Sequence, residues 1–328
     1  MKPFFKNPAN TNSTGVIFLK SIIFKEIFLN DESTFNENNQ SIKFLIKRLF
    51  SWKKDDSLIF IPLSWVCFFA RKGDVIILPD DSLRSISSVA RVRFSARSYI
   101  KGFYQIYRYI ITYILLLTLR RCVLCTVSSD DLKTLKKKFP KNRIKYLPHP
   151  IQAQYNNDIV CPISEDVKNI GFINLQEHYS LDPVLFLTKA NSLEGRNIIY
   201  HGGYSKYWFD YSVKVGFGIN LSHKVYVEDF EAFFNTIDVV VMPLVAGAGV
   251  KNILLNSVYR NKFVFGTKEA FSGIPISLSQ PFIINDSDLL VNKIKNINLL
   301  RRDFDKLRKY IIEHHSISEF KTVLNGGE

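Results

Sequence analysis

Short apolar runs alternate along this chain with segments whose apolar residues recur at helical spacing. DVIIL (74–78), CVLCTV (122–127), NIGFI (169–173), RNIIY (196–200), DVVVMPL (238–244) and KFVFGT (262–267) are the clearest runs. Between them lie segments such as SSDDLKTLKKKF (128–139), with Ser or Asp as the cap and acids in the first turn, as helix starts prefer. Strands that alternate with helices mean a parallel sheet. A length of 328 residues exceeds one average domain.

The pattern runs twice. In the first half it predicts strands over 14–24, 57–65, 74–78, 122–128 and 143–151. Helical spacing occupies 42–52, and one long helix covers 83–121. A linker is expected over 156–168. In the second half, helices are expected at 181–193, 228–237, 250–260 and from 286 to the end, and strands include 218–227 and 280–285. The organisation that follows is an N-terminal Rossmann-like domain over 1–155 and a C-terminal one over 165–300. A helical segment, 301–328, is expected to cross back to the first domain.

Charge separates the halves. Residues 1–150 hold 26 Lys and Arg against 11 Asp and Glu, a formal +15, whereas 151–328 hold 18 against 19, or −1. A basic half suits nucleic acid, an anionic membrane or a phosphorylated substrate. No RNA-binding motif or aromatic-basic repeat accompanies the charge, so nucleic acid is set aside. YIITYILLLTL (109–119) is too short to cross a bilayer and reads as a buried or interface-lying helix. The N-terminal stretch does not read as a secretory signal. Cys67, Cys122, Cys125 and Cys161 are too few for a disulfide framework. Cys122 and Cys125 share a strand three residues apart and so face opposite sides, which argues against joint metal ligation. Together these features lead us to expect a cytoplasmic location.

The chemistry concentrates at AGAGVK (246–251), where a strand hands over to a helix. Gly247 and Gly249 permit tight turns and close approach of a ligand. The first amides of the following helix have no intrahelical partners, and with the helix dipole they favour an anion. Lys251 adds a full charge. This suits a diphosphate, although the spacing is neither a P-loop nor a dinucleotide fingerprint.

Residues 238–275 resemble the nucleotide-sugar half of GT-B glycosyltransferases near glycosyltransferase family 4. The branch concerned reads roughly PLR-x-GAGVK-x-K-x-LEAMA-x-GKPVVAT. RRCVLCTVSSDDLKTLKKKFPKNRIKYLPHPI is similar to the family's last N-domain and exit strands, NIGFINLQEHYSLDPVLFL to its first C-domain strand, and DVIILPDDSLRS to its acceptor-side segment. The resemblance implies two tandem Rossmann-like α/β domains facing a cleft. It implies a donor site of Gly202, Gly203, Gly247, Gly249, Val250, Lys251 and Asn256, the last replacing the family's ribose-binding glutamate. Asp80, Asp81 and Ser82 would meet the acceptor, with Lys251 and Asp81 as the catalytic pair. Asp81 is equally suited to capping the next helix. The substrate would be a UDP- or GDP-linked sugar, the acceptor a saccharide or lipid-linked saccharide at the inner face of a membrane. Transfer would be retaining and need no metal or cofactor. Asn256, lacking the glutamate's charge, raises the alternative of an inactive, glycosyltransferase-like scaffold. His149, His314 and His315 read as structural, and His201 as a cleft candidate.

Overall fold

The computed structural model describes residues 2–4, 58–155 apart from 62 and 64, residue 160, and 166–324 apart from 178, 188–192, 194, 218–219 and 228–229. The strand expected at 14–24, the helix at 42–52 and Cys161 lie outside the described residues.

Among the described residues, two parallel five-stranded sheets form the framework. The first runs in chain order: β1 (Lys2–Phe4), β2 (Leu58–Phe60), β3 (Val75–Leu78), β4 (Val123–Thr126) and β5 (Arg143–Tyr146). The second comprises β6 (Asn169–Phe172), β7 (Asn197–His201), β8 (Asn220–Lys224), β9 (Val239–Met242) and β10 (Phe263–Gly266). Its order is β10-β9-β6-β7-β8. The chain therefore builds outward from β6 in one direction and then in the other. Ligands of open parallel sheets bind at such a reversal, beyond the strands' C-terminal ends.

Helix α1 (Ser82–Ser95) is followed by α2 (Tyr99–Thr118), where one helix over 83–121 was expected. The break has a local cause: Arg97 adopts φ +56°, a left-handed conformation that ends a helix. Gly102 then lets α2 lie close to α1, since a Cβ there would stand 2.8 Å from the Phe94 ring. Next come α3 (Ser129–Lys138) and α4 (Gln152–Tyr155). In the second half, α5 (Pro183–Phe186), α6 (Ser205–Val215), α7 (Phe230–Asn235) and α8 (Asn252–Tyr259) interleave with the strands. They are followed by α9 (Ile276–Ser279), α10 (Ser287–Lys295), α11 (Arg301–His314) and α12 (Ile317–Leu324). The expected strand at 280–285 is instead a 3₁₀ turn at Gln280–Phe282 and a single bridge from Ile283 to Gly266. Pro281 has no N–H to give a ladder.

Each sheet has its own core. Phe172 of β6 is fully buried among Phe186, Tyr200, Trp208 and Phe217, with ring centroids 5.1–6.4 Å away. The first core packs Phe60, Ile76, Leu78 and Leu124 against Leu83, Leu115 and Leu116. The C-terminal segment lies across the junction. The Ile151 N–H donates to His315 O at 3.0 Å, and the Ile317 N–H to Gln154 Oε1 at 3.3 Å. Tyr310 and Glu319 stand within electrostatic reach of Tyr146 on β5.

Candidate functional site

The turn between β9 and α8 is built by two left-handed glycines, Gly247 at φ +121° and Gly249 at φ +71°. It presses against the first domain. The Gly247 N–H donates to Ser88 Oγ of α1 at 3.1 Å. A Cβ on Gly249 would stand 2.7 Å from Pro79 O and 3.2 Å from the Asp80 Cα, so only glycine allows this approach. Val250 is buried and lies against Gly273, which also meets Ser128 of the first domain. The turn thus faces the partner domain.

Lys251 is the N-cap residue of α8 and makes no side-chain cap. Its ammonium donates to Ala248 O at 2.6 Å and Gly249 O at 3.3 Å, both within the turn. Burial lowers its pKa to about 8, while the carboxylates of Asp80 and Asp131 act to raise it. Asp80 shows the converse: burial raises its pKa, and the Lys251 charge and hydrogen bonds from Ser85 and Ser82 oppose the rise. Ser82 Oγ donates to Asp80 Oδ1 at 3.3 Å.

The adjacent Asp81 has another task. It is fully buried, and its Oδ1 accepts from the N–H groups of Leu83 at 3.0 Å and Arg84 at 3.1 Å. Of the two roles open to Asp81, the structure supplies the cap, and the expectation of a catalytic Asp81 is corrected on that ground. Asp80, one residue earlier, lines a cavity of about 180 Å³ with Ser82, Ser85, Arg108 and Thr112. Ile86, Ile111 and Leu115 give that cavity an apolar wall.

Asn256 also departs from expectation. It is 6% exposed. Its Oδ1 accepts from the Ala153 N–H at 2.7 Å, and its Nδ2 donates to Asn252 Oδ1 at 2.8 Å. Asn252 in turn donates to Gln152 Oε1 at 3.0 Å. The side chain is therefore tied to α4, not held towards a ribose. An amide can accept at one end and donate at the other, which a glutamate carboxylate could not do here.

Gly202 and Gly203 follow β7, one strand beyond β6 from the turn. Gly202 has φ +125°, and a Cβ there would collide with Leu175 O; Gly203 faces open space. His201 is buried beside Phe233, and its pKa is lowered by burial and then by Lys224.

Several residues of this junction carried no local sequence signal. Ser88 and Arg84 lie inside a helix, and their partners are distant in sequence. Arg84 Nη1 reaches Ser272 Oγ at 3.4 Å and lies 3.7 Å from Asp131 Oδ1. Asp131 reads in the sequence only as a first-turn acid. In the structure it accepts from the Asp81 N–H at 3.1 Å, and burial and Asp81 raise its pKa to about 6. Tyr179 stands within electrostatic reach of Asp80, Arg108 and Arg93. Arg108 closes the N-terminal end of the apolar run 109–119.

No protein-family model and no curated protein sequence matches this chain. Solved structures do match. HepE from Anabaena, in complex with UDP and glucose, aligns with a TM-score of 0.66 at 11% identity, over 99% of this chain and 98% of its own. A glycosyltransferase from Rickettsia africae aligns at 0.57 with 12% identity, over 90% and 81%. A UDP-forming trehalose-phosphate synthase from Burkholderia xenovorans aligns at 0.57 with 9% identity, over 86% and 75%. The chain has the GT-B fold.

Proposed function

We propose that this chain is a glycosyltransferase. It moves a sugar from a nucleotide-sugar to a hydroxyl of a saccharide or lipid-linked saccharide, in the assembly of a bacterial surface polysaccharide. One observation carries the reading: Asp80 of the first domain abuts the Gly249 turn of the second while also lining the polar cavity. An anion seat and a carboxylate are thereby brought to one place by two different domains. HepE with UDP-glucose shares the fold, so UDP-sugars are the first donors to try.

In this reading the donor diphosphate docks on the turn. Lys251 exchanges its two loop carbonyls for phosphate oxygens, and the free amides of α8 complete the seat. As the sugar bond breaks, charge grows on the diphosphate, where fixed donors stabilise it most. Asp80 orients the acceptor hydroxyl or takes its proton. Its raised pKa makes it a stronger base than a solvated aspartate. Retention of configuration and independence from metal and cofactor follow from the family resemblance and form part of the proposal.

Asn256 favours a second reading, an inactive binding or scaffold protein, because its amide is engaged at both ends, by Ala153 of α4 and by Asn252 of its own helix. A panel of nucleotide-sugars, assayed for hydrolysis and for transfer to saccharide acceptors, separates the two. We expect turnover with at least one donor and its loss in Asp80→Asn. Tight nucleotide binding without turnover, whatever the acceptor, would establish the scaffold instead.

A further inference from the structure

Helix α2 presents an apolar face that no described element covers. Ile100, Phe103, Tyr104, Tyr107, Ile110 and Ile114 follow helical spacing along it, and Ile100 is 87%, Phe103 63% and Tyr107 61% exposed. The opposite side carries the buried Gly102 and Leu116. The charge along this stretch of chain is of one sign. Residues 82–129 contain eight Lys and Arg and no Asp or Glu. Lys101 and Arg108 belong to α2 itself, Arg91, Arg93 and Arg97 precede it, and Arg120 and Arg121 follow it. Among the described residues no helix is long and apolar enough to cross a membrane.

We propose that α2 lies in the headgroup region of an anionic lipid bilayer and seats the chain there. An amphipathic helix with aromatic and aliphatic residues on one side and cations at its rim sinks its apolar face to the acyl boundary. Tyrosine suits that depth, with an apolar ring and a polar tip. The cations select anionic lipid, whose negative surface potential attracts Lys and Arg held close to it. The absence of any carboxylate over 48 residues removes the repulsion that would oppose this. A second copy of this chain is the poorer occupant, because pairing two such faces would bring like charges together.

The same helix walls the cavity beside Asp80, through Arg108, Ile111, Thr112 and Leu115. A lipid-linked acceptor in the bilayer would therefore reach Asp80 along α2, with Arg108 positioned for its phosphate. This delivery rests on the proposed transfer reaction. The seating does not, and it is read without turnover, so either can fail alone.

Co-sedimentation of the full chain with vesicles tests the seating. Phosphatidylglycerol vesicles should pellet the protein, phosphatidylcholine vesicles should not, and about 0.5 M salt should weaken the binding. Ile100→Gln/Tyr107→Gln/Ile110→Gln should lose about ten-fold or more in partitioning at an unchanged melting temperature. Should that variant unfold, Ile100→Gln alone and Arg91→Gln/Lys101→Gln should each weaken binding. Wild type left in the supernatant with phosphatidylglycerol vesicles would overturn the proposal, as would folded variants that bind like wild type. So would a dimer in sedimentation velocity that the triple variant abolishes while vesicles capture nothing.

Discussion

Lys251→Ala is expected to lower kcat/KM for sugar transfer by about 100- to 1,000-fold, the usual cost of removing one preorganised donor from a developing oxyanion. The fold should survive, because the ammonium's hydrogen bonds go to carbonyls of its own turn. Loss should fall on kcat as well as KM, since the diphosphate is more charged in the transition state than in the bound donor. A proton signature accompanies the effect. Burial places the Lys251 pKa at about 8 in the free protein, and a bound diphosphate would stabilise the ammonium and raise it. UDP binding should therefore take up a proton near pH 8 and weaken as pH climbs further. Calorimetry in buffers of different ionisation heat reads that proton directly, and Lys251→Ala should abolish it.

The second large effect is acid destabilisation through two histidines. His149 and His315 are buried at the junction of the domains and the C-terminal segment. The His149 Nδ1 pairs with Pro150 O at 2.9 Å, and His315 Nδ1 with His149 O at 3.1 Å. Burial lowers both pKa values to about 4, against the partial opposition of those carbonyls. Between pH 6.5 and 4 the unfolded chain thus binds more protons than the folded one. Stability falls as pH falls across that window, by up to about 3 kcal/mol for each site. Asp131 works in the other direction. Its pKa is raised to about 6, so its ionised form costs stability near neutrality and protonation on acidification restores it. Urea unfolding followed from pH 7 to 4.5 should show a shallower loss in His315→Asn than in wild type, and a steeper loss in Asp131→Asn. A His315→Asn profile parallel to wild type would show that the pair does not govern the acid limb.

What could be read from sequence was decided by local physics. Apolar runs such as VVVM and FVFG became the buried strands β9 and β10, because alternation with helices leaves few other arrangements. The glycine turn and Lys251 were legible because backbone freedom, free amides and a cation were adjacent in the chain. Asp80 and Asp81 could not be told apart there: a one-residue step turns one carboxylate to the cap and the other to the cavity. Asn256 matched a family position, yet its partner Ala153 lies 103 residues away. Ser88 and Arg84 became part of the junction only when α1 met the second domain. The break at Arg97 was hidden because arginine seldom takes φ +56°.

The proposed transfer requires a diphosphate to dock on the turn between β9 and α8. Thermal unfolding with and without UDP or GDP tests it most directly, since a ligand that binds the folded state raises stability by about RT ln(1 + [L]/Kd). One of these nucleotides should raise the melting temperature of the wild type at millimolar concentration, and Lys251→Ala should lose most of that rise. An equal rise in both proteins, or none in the wild type with either nucleotide, would show that no diphosphate docks there.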